Sequence, residues 1–335
     1  MTSPLIKSIE RTGKKRLNSF FRAILVRKPE KPSGEPSGIL VLRIDNRMGN
    51  LVLITSLLRS LEERFPAARI AVLASHKFSA VLKNRGWEII EMNKKKQIVN
   101  PFLLIEFVRR IRSMDFDTVI DASHPYGFSL STAMLAALTY IPRRIGSPSP
   151  EGAGWYTHVP SSWPERTVHE SRAIHRLGSV WSSWPEWKPP FLPVSRRRRN
   201  RFIGFHAGGK PGRAFSEERL AALAGMAGEL APVRIYWGNE AERLRAENAS
   251  SGNVQAAPKI PLERLPEELA SLTCFVTPDT GPMHLASAVG TPVTAVFQID
   301  NVERFRPLSR YSEALLKPSD EEVIRSLRSV LQAVR

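Results

Sequence analysis

Cysteine is almost absent: the 335-residue chain holds one, Cys274, so no intramolecular disulfide can form. Cys/His pairs at structural-zinc spacing are missing too, which leaves a reducing cytoplasm as the expected setting. Long apolar runs are also lacking. The longest in the body, Leu130 to Ile141, contains Ser131, Thr132 and Thr139 and falls short of the ~20 residues a membrane span needs. Acidic residues are scarce beside basic ones, 32 against 49, giving a formal charge of +17. Such a balance suits nucleic acid, an anionic membrane surface or an acidic small substrate. No zinc-finger spacing, RNP-like aromatic motif or helix-turn-helix pattern is present, so no nucleic-acid partner is expected. The length and the 42% hydrophobic content suit about two domains, each able to bury its own core.

Position refines the charge argument. Residues 1–38 hold nine Lys/Arg against Glu10, Glu30 and Glu35, and a second cluster runs Arg196 to Arg199 plus Arg201. In the first 28 residues Leu5, Ile6, Ile9, Leu17, Phe20, Phe21, Ile24 and Leu25 alternate with cations. On a helix this gives an apolar stripe flanked by charge, the pattern of a segment in a membrane interface; a tail packed on a domain or left disordered fits equally. No small-residue cleavage site follows a sustained apolar core, so a secretory signal is not expected. The breaker-rich stretch from Lys28 to Gly38 then separates this arm, residues 1–38, from the rest of the chain.

From Ile39 the pattern is strand, turn, helix, repeated. Strands are expected at Ile39–Ile44, Arg69–Ala74, Trp87–Glu91 and Thr118–Asp121, with helices at Leu51–Arg64, His76–Asn84, Pro101–Ser113 and Phe128–Tyr140. Prolines and five tryptophans (Trp155, Trp163, Trp181, Trp184, Trp187) break the rhythm over 147–200. It resumes with strands at Phe202–His206, Val233–Trp237, Cys274–Thr277 and Val293–Phe297. The intervening helices are Ser216–Leu230, Glu240–Asn248, Leu262–Leu272 and Gly281–Val289, and Glu321–Val334 closes the chain. Alternation of this kind predicts α/β domains with parallel, doubly wound sheets, one over 39–195 and one over 196–335, binding ligand in the cleft between the carboxyl ends of their strands.

Four strand-to-helix turns carry candidate chemistry. At Asp279-Thr280-Gly281-Pro282-Met283-His284, either Asp279 or Thr280 can cap the helix and Pro282 suits its first turn. The free amides there suit a diphosphate, with His284 aimed at the same space, although a plain capped helix with a core histidine is the bland alternative. The turn His206-Ala-Gly208-Gly209-Lys210-Pro-Gly-Arg213 combines glycines, which let the main chain approach phosphate oxygens, with cations that neutralise them. It is not a Walker loop. Tyr236-Trp-Gly-Asn-Glu240 offers an acid after a strand, where a ribose hydroxyl is often held. The N-terminal turn, Arg43-Ile-Asp45-Asn-Arg47-Met-Gly49-Asn50, has a lone glycine and no dinucleotide fingerprint.

Together these segments resemble glycosyltransferase family 9, the ADP-heptose:lipopolysaccharide heptosyltransferases, from Ile39 to about Pro307. The resemblance implies a GT-B fold, two Rossmann-like domains facing a cleft, and metal-independent, inverting transfer of heptose from an ADP-sugar with no bound cofactor. It implies donor contacts from Asp279, Thr280, Gly281 and His284, from Gly208, Gly209 and Arg213 with His206 and Lys210 beside them, and from Glu240 or Glu242. The acceptor-side turn holds Arg47 and Gly49. The acceptor would be a lipopolysaccharide core or lipid-linked saccharide at the cytoplasmic face of the inner membrane, which the protein would touch peripherally.

Two departures stand out. The family's turn reads Gly-Asp, with the aspartate as proposed base, and here that place is Asn50, an amide that cannot take a proton. Asp45 is the nearest replacement carboxylate, unless it caps the turn or pairs with Arg43 or Arg47. The alternative is a nucleotide-sugar-binding scaffold of envelope assembly that has lost catalysis. The second departure is Phe297-Gln-Ile-Asp300, where a Gly-Pro-Thr type of turn is usual. Asp115-Phe-Asp117 spells a metal-binding motif of other transferases, but its place before a strand marks it as a strand-starting acid.

Overall fold

The structure, a computed structural model, describes residues 18–26, 34–195 and 200–334. Most of the basic arm and the cluster Arg196 to Arg199 lie outside the described residues. Helix α1 spans residues 18–25. It is followed by β1 (Gly38–Arg43), α2 (Met48–Leu53), α3 (Thr55–Arg64), β2 (Arg69–Ser75), β3 (Glu88–Met92), α4 (Lys94–Val99), α5 (Pro101–Arg112), β4 (Thr118–Asp121), α6 (Leu130–Leu138), β5 (Arg143–Ile145) and α7 (Glu170–His175). The second half contains β6 (Ile203–His206), α8 (Glu217–Gly228), β7 (Val233–Tyr236), α9 (Glu240–Asn248), β8 (Val254–Ala256), α10 (Leu265–Ala270), β9 (Cys274–Pro278), α11 (Gly281–Ala288), β10 (Val293–Phe297), α12 (Val302–Phe305), β11 (Glu313–Leu316) and α13 (Asp320–Val334).

Two parallel sheets result, ordered β3-β2-β1-β4-β5 and β11-β10-β9-β6-β7-β8. Strand order reverses between β1 and β4 in the first and between β6 and β9 in the second. A doubly wound sheet opens a crevice at that reversal because successive helices leave on opposite faces. The turns after β1, β6 and β9, three of the four singled out in the sequence, lie at these reversals, so both crevices are lined by them.

Burial on both faces explains the unbroken apolar strands. In β1, Ile39 and Val41 join the cluster containing α2 and α3, whereas Leu40 and Leu42 join the one containing Phe107, Val108 and Ile111 of α5. The first cluster does not stop at the domain edge. It continues through Met283, Leu285, Leu269 and Phe275 of the second half, so the domains share one apolar junction. The opposite face of the second sheet packs Leu220, Leu223, Val323 and Leu327 of α8 and α13. Among the described residues no helix is long and apolar enough to cross a membrane.

Several expected elements change. The helix expected over Leu51–Arg64 starts at Met48 and is divided at Ile54, where the Thr55 hydroxyl donates to the Val52 carbonyl at 2.8 Å. The helix expected at His76–Asn84 shrinks to a 3₁₀ turn, Ser79–Leu82, because the Ser79 hydroxyl is drawn to Glu91 at 2.8 Å and Asn84 takes φ 60°. Helices α6 and α10 are shorter than expected. Strands β5, β8 and β11 were not expected; all three are edge strands of three or four residues, too short and polar to show a buried-strand pattern. The tryptophans Trp155, Trp181 and Trp184 serve packing: Trp181 stacks on Trp184 at 5.8 Å and meets Phe65 edge-on at 5.0 Å. Asp117 accepts from the Ser37 amide and hydroxyl at 2.6 and 2.8 Å and so anchors the start of β1.

Helix α1 lies on α6, with Phe21 and Leu25 against Ala133, Ala137 and Trp155. The Trp155 indole donates to Asn18 at 2.7 Å, and Arg22 donates to the Ala153 carbonyl at 2.6 Å. Trp155 is fully buried. Trp155→Ala is therefore expected to lower unfolding free energy by about 3–5 kcal/mol, read from the midpoint of a urea titration. A loss under about 1 kcal/mol would mean that the α1–α6 contact is not formed in solution.

Candidate functional site

The N-terminal turn is organised by a buried cation. Arg43 closes β1 with its side chain almost wholly covered, its guanidinium donating to the Ala122 carbonyl across the β1/β4 crevice and pairing through Nε with Asp45 Oδ1 at 2.8 Å. The other carboxylate oxygen of Asp45 accepts from the Asn50 amide. Asp45 thus pairs with Arg43 rather than Arg47, and Asn50 faces it as a donor. Arg47 occupies the N-cap position of α2 and is exposed. Nearby, Asp121 is fully buried and accepts from the Tyr156 hydroxyl at 2.6 Å and the Ser123 hydroxyl at 2.5 Å. Burial pushes its carboxyl up, with those hydrogen bonds and Arg43 opposing.

In the second domain, Thr280 is the N-cap residue of α11, but no side chain caps that helix, contrary to the expected role of Asp279 or Thr280. The Thr280 hydroxyl instead lies 3.1 Å from that of Thr277 and 3.3 Å from His206 Nδ1. Asp279 is held by Arg213 at 2.7 Å and by the Asn301 amide at 3.2 Å. Arg213 therefore ties the turn after β6 to the turn after β9. Gly209 has φ 151°, and a Cβ there would come within 3.0 Å of the Ala214 backbone, so only glycine fits. Lys210 is exposed at the tip.

Of the two acids after β7, Glu242 turns inward and Glu240 outward. Glu242 accepts from the Gly238 amide at 2.7 Å, lies 4.0 Å from His206 Nε2, and occupies the space a side chain at Gly208 would need. Glu240 is exposed and paired with Arg243 at 2.5 Å, away from the turn after β6. Ser216 caps α8, and Asn239 caps α9. Burial lowers the His206 pKa to about 4 despite the opposing Glu242 charge.

The domains meet at two glycines. A Cβ on Gly49 would stand 2.6 Å from the His284 ring, and one on Gly281 would stand 3.2 Å from the Gly49 amide nitrogen and 3.1 Å from the Met48 methyl. His284 is therefore packed between the two helix starts, with Phe305 edge-on at 6.1 Å. Burial lowers its pKa to about 4, and burial lowers that of His169 to about 3, with the His284 charge as a smaller cause. Asn301 and His169 were not among the site residues expected from the sequence, and Arg43 entered only as one alternative partner of Asp45. Asn301 and His169 come next to the candidate site only through the fold. Among the described residues no group of three His, Cys, Asp or Glu is placed to hold a metal ion. A cavity of about 730 Å³ lies elsewhere, beside Arg85, Lys259 and Glu267.

Two doubly wound parallel sheets meeting through their switch-point turns define a GT-B architecture, the class expected from sequence. Residues 198–329 match the sequence model of glycosyltransferase family 9 (heptosyltransferase). A 67-residue stretch is 37% identical to lipopolysaccharide heptosyltransferase 1 of Pseudomonas aeruginosa, and that stretch spans 19% of each chain. The fold is similar to that of the family 9 glycosyl transferase from Veillonella parvula (TM-score 0.78, 19% identity, 91% of this chain and 100% of that one). It is also similar to E. coli heptosyltransferase WaaC with ADP (TM-score 0.74, 17% identity, 88% and 99%) and to E. coli ADP-heptose lps heptosyltransferase II (0.72, 19%, 88% and 99%).

Two outcomes are expected of this geometry. Unfolded imidazoles bind protons near pH 6.5, whereas buried His206 and His284 do so only near 4, so between these values the unfolded chain holds more protons. Melting temperature should thus fall as pH falls from about 6.5 toward 4, and His284→Asn should flatten part of that slope. An unchanged slope would place His284 outside the junction. Gly49→Ala should cost about 1–3 kcal/mol by overpacking against His284, measured by denaturant unfolding, whereas Gly225→Ala, inside α8 with nothing near its Cβ, should stabilise by about 0.5–1 kcal/mol.

Proposed function

We propose that the protein is a heptosyltransferase-type glycosyltransferase that moves heptose, or a close relative, from an ADP-sugar to a lipopolysaccharide core or lipid-linked saccharide. The observation that carries this reading is the convergence of Asp279, Thr280, Arg213, His206 and Glu242 at the β6/β9 switch point, inside the stretch matched to family 9. Open α/β sheets bind nucleotides at such reversals. WaaC, whose fold this chain shares, has been solved with ADP and with ADP-2-deoxy-2-fluoro heptose, which names the donor class to test first.

In this reading the turn at Gly208 and Gly209 and the first amides of α11 receive the diphosphate, with Lys210 and Arg213 offsetting its charge. Leaving-group stabilisation of this kind is usually the largest contribution to such catalysis. Glu242, rather than Glu240, is the acid placed to meet the ribose. The chemical step is displacement at the anomeric carbon with inversion and needs no metal: the acceptor oxygen forms the new bond as the bond to the diphosphate breaks and the electron pair leaves with ADP. Asp45 takes the acceptor proton. Arg43 holds one of its oxygens, and Asn50 orients the other through a hydrogen bond, so the amide in the family's aspartate position becomes a positioning group. Cytoplasmic, peripheral placement at the inner membrane follows from a lipid-linked acceptor.

ADP-sugars are expected to raise the melting temperature, because a ligand bound only by the folded state stabilises it, and Asp279→Ala or Arg213→Ala should shrink that shift. Protection by UDP- or GDP-sugars but not ADP-sugars would contradict the donor assignment. Turnover should survive EDTA. Asp45→Asn should lower kcat about 10²- to 10⁴-fold with donor affinity retained, the range for loss of a general base. A wild type that binds donor but transfers nothing, and gains transfer on Asn50→Asp, would instead mark a scaffold.

A further inference from the structure

We infer that the corner between α4 and α5 is a membrane-contact surface that enters an anionic lipid leaflet. Helix α5 buries one side against the first sheet through Phe107, Val108 and Ile111. Its first turns carry a second apolar set with no such cover. Phe102 is 81% exposed, Ile105 48% and Leu103 40%, and Val99 at the end of α4 is 77% exposed. Pro101 and the Asn100 side chain, which accepts from the Phe102 amide at 3.0 Å, fix this corner as a rigid projection rather than a loose loop.

Charge identifies the occupant. Residues 94–112 contain six cations and one acid, Glu106. Lys95 and Lys96 of α4 precede the apolar tip in the chain and Arg109 and Arg110 of α5 follow it, and all four are exposed. An apolar patch flanked by Lys and Arg matches the boundary between acyl chains and anionic headgroups. A second copy of this chain is a poor occupant, because a two-fold contact would set the same cations against each other. The position also suits the leaflet: β3 runs directly into α4 at the edge of the sheet where β1 runs into Asp45 and Asn50. Docking here brings the acceptor side of the cleft to the lipid surface. That last link rests on the reading of a lipid-linked acceptor; the exposed corner and its charge stand without it.

The full chain is tested by co-sedimentation with vesicles of phosphatidylethanolamine and phosphatidylglycerol, with phosphatidylcholine vesicles as the uncharged comparison. Binding is expected to the anionic vesicles only. Val99→Asp/Phe102→Asp/Ile105→Asp and, separately, Lys95→Glu/Lys96→Glu/Arg109→Glu/Arg110→Glu should each weaken it at least tenfold. A chain lacking residues 1–17 should retain most of it. All these positions are exposed, and an unchanged melting temperature confirms folding. Insertion is read directly by Phe102→Cys carrying an environment-sensitive fluorophore, since the one native cysteine, Cys274, is buried. Its emission should shift to the blue on anionic vesicles and be quenched by spin-labelled lipid.

Vesicle binding that survives both multiple variants, or that vanishes only with residues 1–17, overturns the inference. So does a dimer in light scattering that the triple aspartate variant dissociates. Turnover of a delipidated acceptor should be unchanged in these variants, so failure of the transferase reading shows as an inactive wild type and failure of this inference shows as undiminished vesicle binding.

Discussion

The approach of Gly49 to the first turn of α11 is the constraint on which the rest of the architecture depends. Two doubly wound sheets each open a crevice at their strand reversal, but the crevices face each other only if the helices starting there touch. Cβ atoms at Gly49 and Gly281 would drive into His284 and Met48, so this contact exists because both positions are glycine. Once made, it buries His284 in its neutral form and lets one apolar cluster run from Ile39 and Leu57 through Met283 to Phe275. The relative placement of the two domains is thus set by packing at the place where the chemistry is expected.

Electrostatics divides the molecule the same way. Cations close to the junction are matched: Arg43 to Asp45, Arg213 to Asp279, and Arg304 to Glu170 at 2.6 Å. Partly buried pairs of this kind fix geometry more than they add stability, because each ion has given up water. Asp279 and Asp45 are accordingly held in defined orientations rather than left as loose carboxylates. The excess positive charge sits outside, at Lys210 and Arg47 by the cleft and along α4 and α5. Arg143 and Arg144 are buried as well, their guanidinium groups donating to backbone carbonyls, and the composition alone gave no sign of this division.

Strand and helix order was legible because central strands such as Ile39–Ile44 and Cys274–Thr277 are apolar on both faces and their turns carry glycine. The shortest edge strands were not, since Arg143–Ile145 and Val254–Ala256 are paired on one side only and hold too few apolar residues to declare themselves, whereas the five-residue edge strand Glu88–Met92, with Ile89 and Ile90, did. The candidate site could be read where one turn contributes several groups that the fold keeps together, as with Asp279, Thr280 and His284. It was opaque where partners come from distant turns. Asn301 reaches Asp279 because β10 lies beside β9, and Glu242 reaches Gly208 because β7 lies beside β6; neither adjacency is written in local spacing. The capping expectation failed for a related reason: Asp279 and Thr280 had better partners, Arg213 and His206, contributed by another strand.

The central claim is that one nucleotide-sugar site is built from turns of both domains at the glycine contact. Hydrogen–deuterium exchange with and without an ADP-sugar tests it most directly, because protection reports local opening segment by segment. The account predicts slowed exchange at 207–215, 238–246 and 279–285 on donor binding, with a smaller effect at 45–50 across the junction. Protection confined to the Arg85 cavity, or absent from both 207–215 and 279–285 under saturating donor, would contradict it.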